Sequence, residues 1–530
     1  MTWLAVDARV ETDRLTAVGI DTAGTLTAAD GALPVDMWRD TPRSLVEALL
    51  PRLPVGSSSP AVRRLMRRLL LSSAAVPRGD GEPGRLLDDR ARMLWRMGDT
   101  AGLLDLINAV PTESRSARLW RLDTEARLLK GDTTTACQTA DGRIDADPDL
   151  FWQEVFGFCQ ALAGDADGAS LTVAVLAERT SEVQPYKALI EVLIGGRSNV
   201  PKINDPSPLQ LAMMRAAGVQ LAPEAADSDD LPILVAIAHA GPFGETLRLA
   251  AGERAVSAGL LPAQDVYPLY ARLRPEKPAG SLRGSGRAEP GPAGLSALMR
   301  EAVNGPGNRA EQAVHVLEAG RQNGDWLQAT SLVLPWLQAA EPSPSTVQLA
   351  PAIVPALVVQ GETQQAQRWL DELEGAEAAG NGDADAAIHA LLPLAKLAGL
   401  RQEQGDSGDW PSDWSQSDGS QPDTAAGDER LLAMLQATGE TVPNRLWQRL
   451  LQGPAQMRAT NIGLAFRTEL VRAAAAGRLG ETVLLALVGL GAEGPQVLGS
   501  TSMELVVTSL RQVGLGADAR ALATEAVASR

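Results

Sequence analysis

The chain has 530 residues, with 48 Lys plus Arg against 65 Asp plus Glu, a net charge of −17 at neutral pH, and 45% hydrophobic but only 4% aromatic residues. That much apolar material excludes global disorder, and the acidic balance argues against a nucleic-acid backbone as partner, since that affinity comes from clustered Lys and Arg. The apolar mass is mainly Ala, Leu and Val, which suits closely stacked helices better than strands.

Residues 1–58 read as an irregular N-terminal segment with a capping helix. The stretch Asp21 to Gly31 has the Gly, Thr and Asp content of a loop, and Thr41 followed by Pro42 predicts a capped helix running to Leu50. The start, Met1-Thr2-Trp3-Leu4, lacks the basic and apolar regions of a signal peptide, so the sequence reads either as a cytoplasmic protein or as a mature form preceded by Met. No span reaches the ~18 to 20 apolar residues of a membrane helix; Leu231 to Ala240 and Val483 to Leu490 are too short.

From Ser59 the pattern is plainly helical, with Leu65, Leu69 and Leu70 on one side and Arg63, Arg64, Arg67 and Arg68 on the other. The four arginines are the one concentrated basic feature of an acidic chain and are candidate partner-binding residues for an acidic protein, a phosphate-bearing ligand or a lipid surface. The alternative is a solvated face that pairs with the chain's own Asp and Glu. Only five of the basic residues are Lys, which points to the coding bias of a GC-rich bacterium.

Residues 59–274 form a first predicted helical array with an internal period. Gly-Asp recurs at Gly98-Asp99, Gly131-Asp132 and Gly164-Asp165, at equal intervals of 33 residues. Later turns fall at Gly324-Asp325 and Gly361-Glu362, and at Gly477 and Gly514, both at intervals of 37. Five positions on stand Ala136, Ala169, Ala329, Ala366 and Ala519, with Leu103 and Thr482 as the exceptions. These features, with Trp120 before Gly131 and Pro148 after it, resemble the tetratricopeptide class of helix hairpin, whose period is ~34 residues. The resemblance implies a Gly ending each first helix and a small residue letting the second pack closely. It is fullest over residues 85–185, and Thr124 stands where the family usually has Gly.

Cys137 and Cys159 are the only cysteines, placed symmetrically about Pro148. Facing positions on adjacent helices would bring them to the ~5.5 to 6 Å Cα separation of a disulfide; the other reading is two small buried hydrophobes. A disulfide would imply an oxidising compartment, the periplasm in a bacterium. Asp145, Asp147 and Asp149 alternate beside the same turn, where helix capping explains them better than calcium, since an EF-hand's Gly and closing Glu are missing.

Residues 275–294 are dominated by Pro, Gly and Ser and read as a linker. A second array over 295–401 leads to an acidic low-complexity loop over 402–428, and residues 429–530 carry C-terminal helical repeats. Trp410 and Trp414 interrupt the acidic loop and either dock it on its own array or anchor a partner. His239, His315 and His389 fall in three different predicted helices, away from any zinc motif, and no Gly-rich loop is followed by the Lys of a phosphate-binding motif.

As a whole the sequence is similar to Ala-rich helical proteins of alphaproteobacteria that lack an established role, some labelled antifreeze-like. The likeness rests on Asp36-Met-Trp-Arg-Asp-Thr-Pro-Arg-Ser-Leu-Val-Glu-Ala-Leu-Leu-Pro-Arg-Leu-Pro54 and Phe158-Cys-Gln-Ala-Leu-Ala-Gly164. No regular Thr-x-Thr ladder accompanies it.

The expected fold is all-α, a right-handed α-solenoid of tetratricopeptide-like hairpins broken by two low-complexity loops, with an extended concave surface. The expected function is a non-catalytic scaffold or adaptor for a protein partner, in a periplasmic envelope or flagellar assembly, with no cofactor and no metal. The alternatives are a cell-wall-polymer hydrolase or lyase with paired carboxylates in its groove, and a cytoplasmic regulatory repeat protein.

Overall fold

The computed structural model describes residues 19–181, 183–273, 292–401, 422–450 and 461–528. Among them lie twenty-five α-helices and six short 3-10 turns; no strand forms, and β-type pairing is limited to the isolated bridges Leu26–Ser72 and Pro42–Arg78. No helix is long and apolar enough to cross a membrane among the described residues. Trp410 and Trp414 lie outside the described residues, as do most of the expected linker and acidic loop. The helices Pro292–Asn304 and Pro422–Thr438 take in the ends of those two stretches, each starting on a proline, whose fixed φ and missing N–H suit a helix's first turn.

Consecutive helices pack in pairs, including Arg85–Met97 with Thr100–Asn108, Ala117–Lys130 with Thr133–Arg143, and Leu150–Leu162 with Ala166–Arg179. The same holds for Arg309–Asn323 with Trp326–Ala339, Ala350–Gln360 with Thr363–Ala378, and Ser500–Gln512 with Gly516–Ala528. The turn glycines make these pairs possible: Gly98, Gly131, Gly164, Gly324, Gly361, Gly477 and Gly514 all have φ between +68° and +89°, the left-handed region in which a side chain is strained. In the first three turns the following aspartate caps the next helix. Asp99 accepts from the Gly102 N–H at 2.8 Å, Asp132 from Thr135 at 3.2 Å and Asp165 from Gly168 at 2.9 Å. The small residues five positions beyond the turns are fully buried, as are the exceptions Leu103 and Thr482.

Packing is not limited to neighbours along the chain. Pro208–Ala217 lies back on Ala117–Lys130, Leu231–His239 on both Arg85–Met97 and Ala117–Lys130, and Glu245–Ser257 on Trp326–Ala339. The helix Pro60–Leu71 touches Arg85–Met97, Ala350–Gln360, Leu479–Leu490 and Gly516–Ala528, so the first long helix among the described residues packs against the last one there. The N-terminal segment is fastened too. Asp21 is buried and accepts from the Leu87 N–H at 3.0 Å and from Arg43 at 3.1 Å, and Gly24 lies so close to the Ser72–Ser73 backbone that a Cβ would meet Ser73 N at 2.2 Å. The helix expected from Pro42 to Leu50 runs Arg43–Leu49, because Pro42 is itself extended (ψ 133°) and serves as the cap position.

Candidate functional site

The arginine-rich helix Pro60–Leu71 begins with Ser59, whose hydroxyl accepts from the Val62 N–H at 3.1 Å, and has Pro60 in its first turn. Ala61, Val62, Leu65, Met66, Leu69, Leu70 and Leu71 are buried, more than one face of a helix. Of the arginines only Arg63 is buried; Arg64 and Arg67 are exposed and Arg68 is half-buried, and each finds a partner within the chain. Arg63, only 7% exposed, donates to Met97 O at 3.0 Å and Val55 O at 3.4 Å, and burial pulls its pKa down to about 10. Arg64 reaches Gln360 O at 3.4 Å. Arg67 pairs at 2.7 Å with Asp99, the same carboxylate that caps the helix after Gly98. Arg68 donates to Asp518 Oδ1 at 2.6 Å and to Gly31 O at 2.5 Å. The four candidate partner-binding arginines tie five separate segments of the chain together, Arg67 and Arg68 through the chain's own acids, while Arg64 and Arg67 stay exposed.

Cys137 and Cys159 lie at disulfide distance, with sulfurs 1.98 Å and Cα atoms 5.7 Å apart, and join Thr133–Arg143 to Leu150–Leu162. Asp149 caps the second of these helices through Phe151 N at 3.0 Å, and Asp147 accepts from the Asp149 N–H at 3.1 Å, so local backbone groups engage two of the alternating aspartates. The three histidines are on separate helices, half exposed, and lie 4.0 Å from Asp265, 3.9 Å from Glu318 and 3.1 Å from Asp385. Among the described residues no group of three metal-ligating side chains converges.

A second group of charges gathers Arg121 and Glu125 of Ala117–Lys130, Asp149 and Glu154 at the start of Leu150–Leu162, and Asp230 just before Leu231–His239. Arg121 donates to Glu125 at 3.1 Å and to Asp149 at 2.8 Å. Burial pushes the Glu125 carboxyl above its ordinary value despite Arg121, and burial does the same to Glu154. Asp230 is pushed up to about 6, first by burial and then by the negative charges of Glu125 and Asp205. This acidic face can receive a cation, and Asp230 can hold a proton close to neutral pH. It was not legible in the sequence: Glu125 and Asp230 belong to distant helices, and no spacing rule links them. Compared with protein-family models, characterised proteins and solved structures, the chain shows no match.

Proposed function

We infer that the protein is a non-catalytic helical-repeat scaffold that holds a basic segment of a protein partner. The reading takes the helix pairs as a degenerate right-handed tetratricopeptide-like array, the family that the Gly-Asp turns resemble, and places the protein in a bacterial envelope or flagellar assembly. The observation that carries it is the acidic face around Glu125, Glu154 and Asp230, whose carboxyls are all pushed up first by burial, Asp230 also by the negative charges of Glu125 and Asp205, so that an incoming Lys or Arg would stabilise their charged forms. The cysteine pair at disulfide distance supports an oxidising compartment.

The test is a calorimetric titration with a lysine-rich octapeptide at low and high salt. Glu125→Gln/Asp230→Asn should weaken binding at least ~10-fold, whereas Glu372→Gln/Glu377→Gln, which removes the same charge elsewhere, should not. Equal losses in both variants would assign the binding to net charge and remove the basis for this site. Compartment is tested separately, by thiol labelling of protein from its native host before and after reduction in denaturant.

A second reading, a cell-wall-polymer hydrolase, draws on the same carboxyls, since a proton held by Asp230 near pH 6 is what a general acid needs. It requires soluble fragments to be released from purified sacculi by the wild type and not by Asp230→Asn.

A further inference from the structure

A cleft of about 300 Å³ opens between the start of Leu464–Ala475, the end of Leu479–Leu490 with the loop that follows it, and Arg52 of the 3-10 turn Leu50–Arg52. Its walls are apolar: Phe466, Val488, Leu490 and Val497 line it, together with the buried Ile462 and Leu498. Val497 stays 41% exposed, and Leu464, next in the chain to the lining residue Gly463, is 77% exposed. At ~30 Å³ per water molecule, the cleft has room for about ten waters or one small organic molecule with an apolar part.

Three polar side chains line the same cleft, Arg52, Asn461 and Glu493, and all three are exposed. Arg52 is placed there by Phe466, since its guanidinium lies 5.3 Å from the centre of that ring. Stacking engages the face of the guanidinium and leaves its N–H donors free in the plane, the edge by which Arg takes both oxygens of a carboxylate. In a chain of net charge −17, Arg52 nonetheless makes no ion pair or hydrogen bond among the described residues. Asn461 is fixed by Ser502, whose hydroxyl donates to Asn461 Oδ1 at 3.2 Å and accepts from the Ile462 N–H at 3.1 Å. With its oxygen engaged in this way, Asn461 offers a ligand chiefly its NH2 donors.

Glu493 likewise makes no ion pair among the described residues. Arg52 and Glu493 therefore line one cleft with opposite charges and do not neutralise each other, so a molecule lying between them can meet both.

The chemistry of the lining selects the ligand. Arg52 and Asn461 supply donors, and the positive one favours a carboxylate; Glu493 favours a positive donor; the walls favour an apolar group. A fatty acid would leave Glu493 unmatched and bring a second negative charge to it. An alkyl amine would do the converse at Arg52, and a zwitterion without a side chain would leave the apolar walls uncovered. We propose that this cleft binds a free α-amino acid with an apolar side chain, its carboxylate on Arg52 and the Asn461 amide, its ammonium on Glu493, and its side chain against Phe466 and Val497.

The experiment titrates leucine and phenylalanine into the full chain by calorimetry, beside glycine, isocaproate and isoamylamine, which lack in turn the side chain, the ammonium and the carboxylate. At least one of the two amino acids should bind, and at least ~10-fold more tightly than each of the three analogues. Arg52→Gln should weaken that binding at least ~10-fold, and Glu493→Gln roughly 3- to 10-fold. Melting of each variant without ligand shows whether it has folded, and the analogue series carries the test for any variant that has not. The proposal is overturned if neither amino acid binds at about 10 mM, if any analogue binds as tightly, or if either folded variant binds like the wild type. The octapeptide titration at the acidic face is independent, so either result stands without the other.

Discussion

At the scale of single residues, the most consequential group is Glu525. Its Oε2 accepts from the Ala61 N–H at 3.2 Å, which fastens the last helix to the first turn of the arginine-rich one. Burial pushes its carboxyl up to about 7, against the Ser59 and Ala61 hydrogen bonds and the Arg64 charge that pull it down. The folded chain therefore keeps this proton at pH values where the unfolded chain has lost it, so stability declines as pH rises from about 4.5 to 7 and changes no further from this source above that. The loss amounts to at most about 3 kcal/mol. Urea midpoints at pH 5 and pH 8 should differ less in Glu525→Gln than in the wild type; an unchanged difference would mean that the carboxyl titrates alike in both states. Arg68 and Asp518 make a second tie, at 2.6 Å with side chains 24% and 15% exposed. Asp518→Asn removes the ion pair and should lower stability by about 1 to 3 kcal/mol, measured by urea unfolding at neutral pH.

At the scale of helices and turns, the Gly-Asp motif does two physical tasks. The glycine turns the chain through the left-handed region, and the aspartate satisfies an N–H that the new helix would leave unpaired. Gly131→Ala, at φ +83°, should therefore cost about 1 to 2 kcal/mol, and Asp132→Ala about 1 kcal/mol, in thermal or urea unfolding. A Gly131→Ala variant as stable as the wild type would show that the turn has another route. Much at this scale is legible in the residues themselves. Equal spacing of Gly-Asp locates the turns, and the buried alanines five residues on follow from how closely paired helices approach. Cys137 and Cys159 are legible for the same reason, since symmetric positions about one helix junction face each other. A bond at this pair closes a 22-residue separation, and replacing both cysteines with Ala should lower the stability of the oxidised protein by roughly 3 kcal/mol, with no loss relative to the reduced wild type.

At the scale of the whole molecule, the contacts between Pro60–Leu71 and Gly516–Ala528 make the ends of the chain depend on each other. Leu65 and Leu69, on the first of these helices, are almost wholly buried, as are Leu522 and Ala526 on the last. Truncation after Leu515 should expose this apolar surface, lower the melting temperature and increase dye binding to apolar patches. A truncated chain that melts like the full one would show that the two ends are energetically independent.

The sequence alone determined what neighbours along the chain can encode: helical periodicity, the glycine turns and the facing positions of the two cysteines, all set by residues within one helix hairpin. What it left open was decided by contacts between residues far apart. The arginine stripe of Pro60–Leu71 has the pattern of a solvated face, and it also ties distant segments together because Asp518, 450 residues from Arg68, and Gln360, 296 residues from Arg64, are brought against it. The acidic face arises in the same way, from side chains whose proximity no local spacing records. Local sequence sets the free energy of each helix and turn, but the field and burial acting on a charged group depend on which distant elements surround it.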